Sequence, residues 1–447
     1  MLISELRDLD IAVLGAGREG RSAIRWLRKE FPQKALTVYD EAPVSLEEDP
    51  LSVVVTGTLD ARKLQAHDLL IRSPGISPYR AALRKAGVQC TSTSSLWFAA
   101  HPRARTICIT GTKGKSTTAA LTAHLLRTAG LQAQLAGNIG QALLDCPERV
   151  DGWWVIELSS YQLADLGAQP SLAAILNVSD EHLDWHGNAA NYRRDKLRLA
   201  ELAGRSPLIL NHGDEFLREQ FGARIGVHWF GHHQGWHVRE DRLYRGPETF
   251  AGIPRQSLPG AHNLENLAAA LTLVEAAGIE VADPGAALEA FRGLPHRLQV
   301  LGEADGVLFV NDSLATTPVA TLAALRAYRE RPVILLAGGL DRGLDWRPMV
   351  ARMRETTPAA VICLPDSGPS IAHLMAQCGL QPERGIHCAD GLAAAMRTVG
   401  ELSRAGDVVL LSPGAASFPQ FRDYADRGRQ FAGLAGFAIL EGAPEGA

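Results

Sequence analysis

The sequence lacks three features that mark specialised classes of protein. Its six cysteines form no C-x-x-C pair, so neither a zinc site nor a disulfide framework is predicted. It has no apolar run of membrane-spanning length, and its first residues lack the basic start of a signal peptide. Its formal net charge of −4 gives no electrostatic reason to bind nucleic acid or a membrane surface. We therefore expect a cytoplasmic protein that binds neither nucleic acid nor membrane, and small polar ligands remain open.

Short β-branched apolar runs alternate with longer Ala- and Leu-rich helical patterns along the chain. This alternation predicts an α/β protein in which parallel sheets are flanked by helices throughout. A length of 447 residues is too great for one ordinary core. The order of the elements predicts three α/β domains, at residues 1–100, 101–293 and 294–447.

A glycine-rich loop separates the first predicted strand from the first helix. Gly15, Gly17 and Gly20 form a G-x-G-x-x-G pattern, and Asp40 ends the next strand. Small residues let the backbone approach a pyrophosphate, and a helix N-terminus offers free N–H groups. Taken alone, the pattern is typical of a dinucleotide-dependent dehydrogenase, but any diphosphate would satisfy it. A tight strand-to-helix turn without a ligand is the alternative that these residues leave open.

A second loop carries a stronger phosphate-binding signal, because it follows an apolar strand and precedes a helix. Its backbone amides can wrap phosphate oxygens, Lys115 can neutralise the terminal phosphates, and the Ser116 hydroxyl can ligate Mg²⁺. ATP and Mg²⁺ are therefore the expected ligands. The loop consists of Gly111, Thr112, Lys113, Gly114, Lys115, Ser116 and Thr117.

Charged residues follow two later strands, at the strand ends where doubly wound sheets place their sites. Glu157 follows four apolar residues and is predicted to be a second Mg²⁺ ligand. His182, in the segment DEHLDWH, is predicted to lie beside the metal, and a solvated polar loop is the alternative. Lys196 lies in a helical pattern and is interpreted, from the residues alone, as a helix-surface lysine.

An ordered set of motifs across nearly the whole chain resembles the Mur ligases and their folylpolyglutamate synthetase relatives. In chain order the motifs are GTKGKST, ELSSYQ, NVSDEHLDWHG, YRRDKLRL, HNLENLAAA, LPHRLQVLG, NDSLATTP, GGLDRGLDW and LLSPGAASFPQF. The first glycine loop and the segment SPGIS look like the members that join glutamate to UDP-N-acetylmuramoyl-L-alanine. This resemblance overrules the dehydrogenase interpretation. It implies a Rossmann-like UDP-binding domain, a central P-loop ATPase-like domain and a C-terminal Rossmann-like domain that binds ATP and glutamate.

The resemblance also implies which residues bind and react. The catalytic residues would be Lys115, Glu157, His182 and Lys196. The Mg²⁺ ligands would be Ser116, Glu157, His182 and Lys196, the last of them carbamylated. Beside the phosphate loop, ATP would contact Asn266, Arg297 and Asp312. The UDP substrate would contact Gly15, Gly17, Gly20, Asp40, Ser73, Gly75, Asn138, Ser159, Gln162 and His182. Glutamate would contact Thr316, Arg342, Ser417, Phe418 and Tyr424.

The implied reaction is an ATP-dependent ligation in two steps. The alanyl carboxylate attacks the γ-phosphate, and the amine of glutamate then attacks the resulting acyl phosphate. The sequence does not choose between His182 and a bound water as the base for that amine. The resemblance further implies a monomer in which the third domain closes over ATP and glutamate.

Two departures from the D-glutamate-adding members touch the amino-acid side of the implied site. Leu314 stands where those members usually have a lysine, and Asp341-Arg342 replaces a glycine-lysine pair. Loss of the lysine removes a carboxylate partner, whereas Arg342 offers a bidentate one. These segments are closer to a branch that adds L-glutamate, so L-glutamate is the predicted substrate and D-glutamate the alternative. More remote alternatives are a folylpolyglutamate-type ligase, which lacks the UDP domain, and a non-catalytic nucleotide switch.

Overall fold

The computed structural model describes residues 3–46, 49–139, 141–147, 151–253 and 258–438. The chain divides into two compact units, residues 1–251 with 265–287 and residues 252–264 with 288–447. Within the described ranges, no helix is both long enough and apolar enough to cross a membrane. The fold is α/β, as the sequence predicts, and is built on three largely parallel sheets.

The first sheet has five parallel strands in the order β3-β2-β1-β4-β5. Its strands are β1 Ile11–Leu14, β2 Leu36–Asp40, β3 Ser52–Thr56, β4 Leu69–Arg72 and β5 Gln89–Ser92. Its helices are α1 Arg18–Glu30, α2 Ala61–Leu64, α3 Ala81–Ala86 and α4 Thr93–Ala100. Residues Ile11 and Val13 of β1 join one apolar cluster and Ala12 and Leu14 another, because both faces are covered. The strand order reverses between β1 and β4, so the loops after them flank the crevice where such sheets bind ligands.

The second sheet, in the same unit, has six parallel strands in the order β11-β10-β9-β6-β8-β7. Its strands are β6 Arg105–Thr110, β7 Ala133–Gly137, β8 Trp153–Glu157, β9 Leu172–Ile175, β10 Leu208–Asn211 and β11 Val227–Phe230. The helices along this part of the chain are α5 Lys115–Thr128, α6 Ser160–Leu163, α7 Leu183–His186, α8 Ala189–Ala203, α9 Glu215–Phe221, α10 Ala261–Ala276 and α11 Pro284–Ala287. Strand β6 lies between β8 and β9, so the segments that follow these three strands meet at one edge.

The expectation of parallel sheets throughout is wrong in two places. A three-stranded antiparallel sheet follows β11, with strands β12 Trp236–Arg239, β13 Arg242–Arg245 and β14 Glu248–Phe250. In the second unit, β15 Gln299–Ala304 pairs antiparallel with β16 Val307–Asn311. All three antiparallel pairs are joined by short turns with a residue at positive φ, a local connection that needs no crossover helix.

The second unit carries a six-stranded sheet in the order β15-β16-β20-β17-β18-β19, parallel apart from β15. The remaining strands are β17 Val333–Ala337, β18 Ala360–Cys363, β19 Ile386–Cys388 and β20 Val408–Leu411. Its helices are α12 Pro318–Ala327, α13 Arg347–Met353, α14 Gly368–Gln377, α15 Leu392–Leu402 and α16 Tyr424–Leu434. Leu335 packs into the apolar core on one face of the sheet, and Ile334 and Leu336 pack into the core on the other. Three apolar runs that the sequence marks as strands, VILLA, AVIC and VVLL, are therefore buried on both faces.

Candidate active site

The phosphate loop connects β6, which ends at Thr110, to α5, which begins at Lys115. Gly114 caps the helix with a φ of +82°, a left-handed conformation that favours glycine. A Cβ at Gly114 would lie 2.3 Å from Asn266 Oδ1. The side chain of Asn266, on α10, therefore packs directly against the loop. This contact joins two motifs that lie far apart in the sequence.

Asn177, which follows β9, fixes the shape of the phosphate loop. The backbone N–H of Thr112 donates to Asn177 O at 2.9 Å, and that of Lys113 donates to Asn177 Oδ1 at 2.8 Å. Lys115 Nζ donates to Thr112 O at 3.0 Å, which folds this side chain back over the loop. Sequence reasoning missed Asn177, although its position in the motif ILNVS was a usable signal.

Glu157 ends β8 and is almost completely buried, with 1% of its surface exposed. Asn138 Nδ2 donates to Glu157 Oε1 at 2.8 Å. Among the described residues, the other carboxyl oxygen of Glu157 has no hydrogen-bond partner. A buried carboxyl oxygen without a partner is unfavourable, and a bound cation would satisfy it. Glu157 therefore fits the role of a magnesium ligand.

The described part of the chain contains no group of three His, Cys, Asp or Glu side chains arranged to hold a metal. A magnesium site at Glu157 would thus need oxygen ligands of another kind, such as the Ser116 hydroxyl, phosphate oxygens or water. Ser116 is half-buried in the first turn of α5, and Thr117 beside it is buried.

Lys196 is buried, with 2% of its surface exposed, so its interpretation as a helix-surface lysine is wrong. Its Nζ donates to Gly111 O at 2.6 Å and to Thr110 Oγ1 at 3.2 Å, at the start of the phosphate loop. Burial first, and then repulsion from Lys115, lower the pKa of Lys196 well below its ordinary value. Its amine is therefore held in the neutral, nucleophilic form more readily than that of an exposed lysine.

A cavity of about 170 Å³ opens beside the phosphate loop. It brings together six predicted site residues, which are Thr112, Lys115, Asn138, Ser159, His182 and Lys196. Sequence reasoning missed the other lining residues, which are Ser160, Tyr161, Glu181 and Tyr192. The missed residues lie within or beside recognised motifs, but only the folded chain shows which of them face the same space.

His182 caps the short helix α7 in a left-handed conformation, with φ of 54°. Its ring lies edge-on to Tyr161, with centroids 5.2 Å apart. Desolvation by these surroundings lowers the pKa of His182, although Glu181 and Asp184 act in the opposite direction. At neutral pH its imidazole is therefore mostly neutral and has a nitrogen lone pair available for a proton or a metal.

The side chain of Gln162 is held by protein groups. Its Nε2 donates to Glu19 Oε1 at 2.8 Å, and its Oε1 accepts from the backbone N–H of Ser159 at 2.9 Å. Glu19 lies in the first turn of α1, within the G-x-G-x-x-G pattern, and its second carboxyl oxygen accepts from Thr93 Oγ1. Burial raises the pKa of Glu19, while these two hydrogen bonds oppose that rise. Sequence reasoning missed Glu19, which links the glycine loop to Ser159 at the cavity.

The first glycine loop requires glycine at two of its three positions, one because of its backbone conformation and one because of close packing. Gly15 has φ of +83°, and a Cβ at Gly20 would lie 1.8 Å from Gly15 O. A Cβ at Gly17 would meet nothing within 4 Å, so this part of the backbone is open to a ligand. Asp40 Oδ2 accepts from the backbone N–H of Ala16 at 2.7 Å, so its carboxylate also holds the loop.

Arg72 holds the SPGIS segment against the second sheet. It has no exposed surface, and it forms two hydrogen bonds of 2.8 Å to the carboxylate of Asp165. It also donates to the backbone oxygens of Ser73 and Ile76. Beyond it, Gly75 O accepts from the indole N–H of Trp185 at 3.2 Å. Ser73 and Gly75 are thereby fixed at the carboxyl end of β4.

In the second unit, Asp312 follows β16 and is buried. Ser412 Oγ donates to its Oδ2 at 2.7 Å, and the backbone N–H of Leu298 donates to its Oδ1 at 3.1 Å. Burial raises the pKa of Asp312 to about 7, despite these bonds and the nearby charge of Arg297. Arg297 itself is half-buried and lies just before β15.

The residues assigned to glutamate follow three strands of the second unit. Thr316 is half-buried after β16, Arg342 is exposed after β17, and Ser417 is buried after β20. Phe418, at 63%, and Tyr424, at 41%, keep large exposed surfaces. The segments after these three strands share one edge of the sheet, because β20 lies between β16 and β17. Leu314, where the lysine would stand, is half-buried.

Arg427 is a functional candidate that sequence reasoning missed. It is completely buried, and its guanidinium donates to the backbone oxygens of Ser313 and Ala415. Its Nε donates to Ser313 Oγ at 3.0 Å, and its Nη1 has no hydrogen-bond partner among the described residues. Burial lowers the pKa of Arg427 to about 10. It therefore ties together the segments that follow β16 and β20.

These features define a class of protein, namely α/β proteins with a predicted phosphate-binding loop and two further sheets whose strand ends carry polar residues. Family models match all three regions of the chain. A Mur ligase MurD-like N-terminal domain matches residues 9–92, a Mur ligase middle domain matches residues 109–274, and a Mur ligase glutamate ligase domain matches residues 296–414.

Curated relatives match over almost the full length. A protein from Xanthomonas euvesicatoria pv. vesicatoria, named UDP-N-acetylmuramoyl-L-alanine--L-glutamate ligase, is 45% identical over 98% of this chain and 97% of its own. Proteins of the same name from Xylella fastidiosa and from a Micromonospora species are 44% and 40% identical, and the match covers 97% of the length of each relative. The chain therefore belongs to the Mur ligase family.

Solved structures share the fold. A UDP-N-acetylmuramate-alanine ligase from Thermotoga maritima matches with a TM-score of 0.60 and 17% identity, over 96% of this chain and 99% of that one. A MurF ligase from the same organism, determined in complex with ADP, matches with a TM-score of 0.60 and 16% identity, over 97% and 96% of the two chains. At these identities the likeness establishes the architecture alone.

Proposed function

We propose that this protein is an ATP-dependent ligase that forms the amide bond between UDP-N-acetylmuramoyl-L-alanine and L-glutamate in peptidoglycan precursor synthesis. The relatives that bear this name cover nearly the whole chain, including the N-terminal domain that a folylpolyglutamate-type ligase lacks. The observation that carries the proposal is the cavity that gathers Lys115, Lys196 and His182 beside the phosphate loop. A cavity of this polarity suits a reacting carboxylate next to a phosphoryl donor.

The domain boundaries near residues 100 and 293 belong to this proposal. The first domain would hold the UDP group, the second the phosphates of ATP, and the third the amino acid. The protein would act in the cytoplasm as a monomer, as the family resemblance implies.

The phosphate loop would position the triphosphate for attack by the alanyl carboxylate. Its backbone amides would hold the phosphate oxygens, and Lys115 would move from Thr112 O to the transferring phosphoryl group. Asn266, packed against Gly114, would contact the adenine side of ATP. Arg297 and Asp312 would complete the ATP site from the third domain. Positioning and charge neutralisation carry this chemistry, because phosphoryl transfer leaves little covalent work to the protein.

Magnesium, when bound, would neutralise phosphate charge and polarise the transferring group. Its proposed ligands are Ser116, Glu157, His182 and carbamylated Lys196. Carbamylation forms a bond between Lys196 Nζ and the carbon of CO₂, with loss of one proton from the amine. The lowered pKa of Lys196 supports this step, since only the neutral amine is nucleophilic. The product would place an anionic oxygen ligand where the chain otherwise has a buried amine.

The substrate contacts follow from the positions described above. We propose that the UDP substrate lies along the two glycine-containing loops of the first sheet and reaches the cavity at Asn138, Ser159 and His182. The open backbone at Gly17 supports a diphosphate at that point. Gln162 and Asp40 would act by holding the backbone that touches the substrate, because their own polar atoms are bonded to protein.

The amino acid would bind between Thr316, Arg342, Ser417, Phe418 and Tyr424. We propose that Leu314 and Arg342 select L-glutamate. A leucine cannot pair with a carboxylate, whereas the exposed guanidinium of Arg342 can take it bidentately and from a different direction.

The test is phosphate release from the purified protein with ATP, Mg²⁺ and UDP-N-acetylmuramoyl-L-alanine, run in parallel with L-glutamate and D-glutamate, with the product checked by mass. Turnover with L-glutamate alone supports the full proposal. Turnover with D-glutamate alone keeps the ligase and refutes the assignment of Leu314 and Arg342. The Leu314→Lys variant tests the same point, because it should weaken the preference for the L-isomer while Lys113→Ala, on the phosphate loop, should not. No product with either isomer would refute the ligase assignment.

A further inference from the structure

Three buried side chains form a continuous hydrogen-bonded chain that ends at the cavity. Ser160 Oγ lies 3.0 Å from His186 Nε2, and His186 Nδ1 lies 2.8 Å from Asp195 Oδ2. His186 has no exposed surface, and Ser160 and Asp195 are nearly as buried. Of the three, Ser160 lines the cavity. The arrangement resembles a serine, histidine and aspartate relay in its spacing.

The inner end of this chain is held from several sides. The hydroxyl of Tyr79 donates to the carboxylate of Asp195, at 2.7 Å from each oxygen. The ring of His186 lies between aromatic neighbours, with centroid distances of 4.5 Å to Trp185 and 5.2 Å to Tyr192. Neither His186 nor Asp195 can change its orientation without losing these contacts. The positions of His186 and Asp195 are therefore fixed by the fold.

The direction of each hydrogen bond follows from the chemistry of the partners. A carboxylate only accepts hydrogen bonds, so the Nδ1 of His186 must carry the hydrogen that it donates to Asp195. In the neutral imidazole the Nε2 is then an acceptor, and the hydroxyl of Ser160 donates to it. The hydrogen of Ser160 is thus directed away from the cavity. What Ser160 offers to a ligand is the lone pairs of its oxygen.

We propose that Ser160 is a hydrogen-bond acceptor that binds an N–H group of the substrate, and that His186 and Asp195 are positioning residues that fix this polarity. The inference rests on the proposed function. Lys115 lines the same cavity and would attract the alanyl carboxylate. In an alanyl group the N–H and the carboxylate are attached to one carbon, so a carboxylate held by Lys115 brings the amide N–H within reach of the cavity wall. The amine of glutamate is the second source of the same chemistry.

The test replaces the amide N–H of the substrate by oxygen. In the analogue, L-lactate takes the place of L-alanine, so that an ester oxygen faces Ser160. We expect the wild-type KM for this analogue to be about 10-fold or more above that for UDP-N-acetylmuramoyl-L-alanine, because two acceptors then face each other. Ser160→Ala should raise the KM for the amide substrate about 10-fold and change that for the ester less than about twofold. The ratio of the KM for the ester to the KM for the amide should therefore fall from about 10 in the wild type toward one.

The matched control is Ser206→Ala. Its hydroxyl donates to Pro170 O at 2.8 Å, away from the cavity, so the ratio should stay at the wild-type value. Asp195→Asn tests the positioning role, because an amide nitrogen facing Nδ1 reverses the tautomer and turns Nε2 into a donor. The hydroxyl hydrogen of Ser160 is then free, and the ratio should fall as it does in Ser160→Ala. A purely structural role would lower the melting temperature without changing the ratio.

The remaining outcomes are distinct. Ser160→Ala could instead raise the KM for glutamate about 10-fold and leave the ester-to-amide KM ratio unchanged. The N–H group that Ser160 accepts would then be that of the glutamate amine, and the acceptor role would still be supported. Unchanged KM values for all three substrates would overturn the inference. Calorimetric binding of the amide and ester substrates to the wild-type protein measures the same ratio without turnover. The inference would also be overturned if the wild-type protein bound both substrates with equal affinity and Ser160→Ala left the KM for glutamate unchanged. A protein that binds these substrates but does not catalyse ligation would count only against the proposed function.

Discussion

Asp312 offers a direct test of how burial controls charge in the second unit. Its folded-state pKa of about 7 lies above the ordinary value of 3.8. Between these two pH values the folded protein keeps a proton that the unfolded chain has lost, so raising the pH through this window destabilises the fold. Each pKa unit corresponds to about 1.4 kcal/mol, so the full penalty is at most about 4 kcal/mol above pH 7. Below pH 4 the penalty is absent.

The variant Asp312→Asn removes this titration. The asparagine oxygen can still accept from the backbone N–H of Leu298, and its nitrogen can donate to Ser412 Oγ, so the packing is kept. Urea unfolding should show the variant close to wild type at pH 4 and more stable by up to about 4 kcal/mol at pH 8. Ligation should fall, because the proposed ATP contact loses its charge.

The control is Asp407→Asn in the same sheet. Asp407 is buried and accepts two hydrogen bonds from the guanidinium of Arg384. Loss of its charge leaves that guanidinium without its carboxylate partner, so this variant should be less stable than wild type at both pH values. If Asp312→Asn shows no gain in stability between pH 4 and pH 8, the reasoning from burial is refuted.

Three further predictions concern the first unit. Lys196→Met should reduce ligation by about 100-fold or more, because a proposed metal ligand is lost, and should lack the ¹³C carbamate signal that we expect from the wild-type protein under ¹³CO₂. Gly114→Ala should raise the KM for ATP about tenfold or more, because the left-handed φ is strained and the new Cβ meets Asn266; steady-state kinetics measure this. Asp165→Ala should destabilise the fold by about 3–5 kcal/mol in urea unfolding, because Arg72 is left as a buried charge.

Two of these changes have a matched control variant. Gly130→Ala, at a φ of +79° with nothing within 4 Å, should keep the wild-type KM for ATP. Asp180→Ala breaks an exposed pair with Arg193 and should hardly change stability. If the carbamate signal persists in Lys196→Met, the carbamylated amine is not that of Lys196. An Asp165→Ala protein as stable as Asp180→Ala would mean that Arg72 finds sufficient partners in backbone oxygens.

The fold class and the position of the phosphate loop could be predicted from the sequence because both are local properties. Apolar strands buried on two faces show as continuous runs, and the loop shows as glycines and lysines between a strand and a helix. The antiparallel strands β12 to β15 were missed because they show no such local pattern. They are short and partly exposed, and their composition differs little from that of loops.

The candidate site was predicted unevenly. Lys115, His182 and Ser159 line one cavity, as motifs at neighbouring strand ends suggest. The burial of Lys196 could not be read from the residues, because a lysine in an amphipathic helix is usually exposed. Only resemblance gave it a role. Glu19 and Arg427 were missed because their partners lie on other elements.

By itself, the sequence determined the family, the α/β architecture and the phosphate loop, because these depend on short ordered patterns along the chain. Only the tertiary structure decided which side chains are buried and where their hydrogens point. Gly114 meets Asn266, Arg72 meets Asp165, and Ser160 meets His186 across segments that no local pattern connects. Burial and hydrogen-bond direction depend on every neighbour of a group, and those neighbours are known only when the chain is folded.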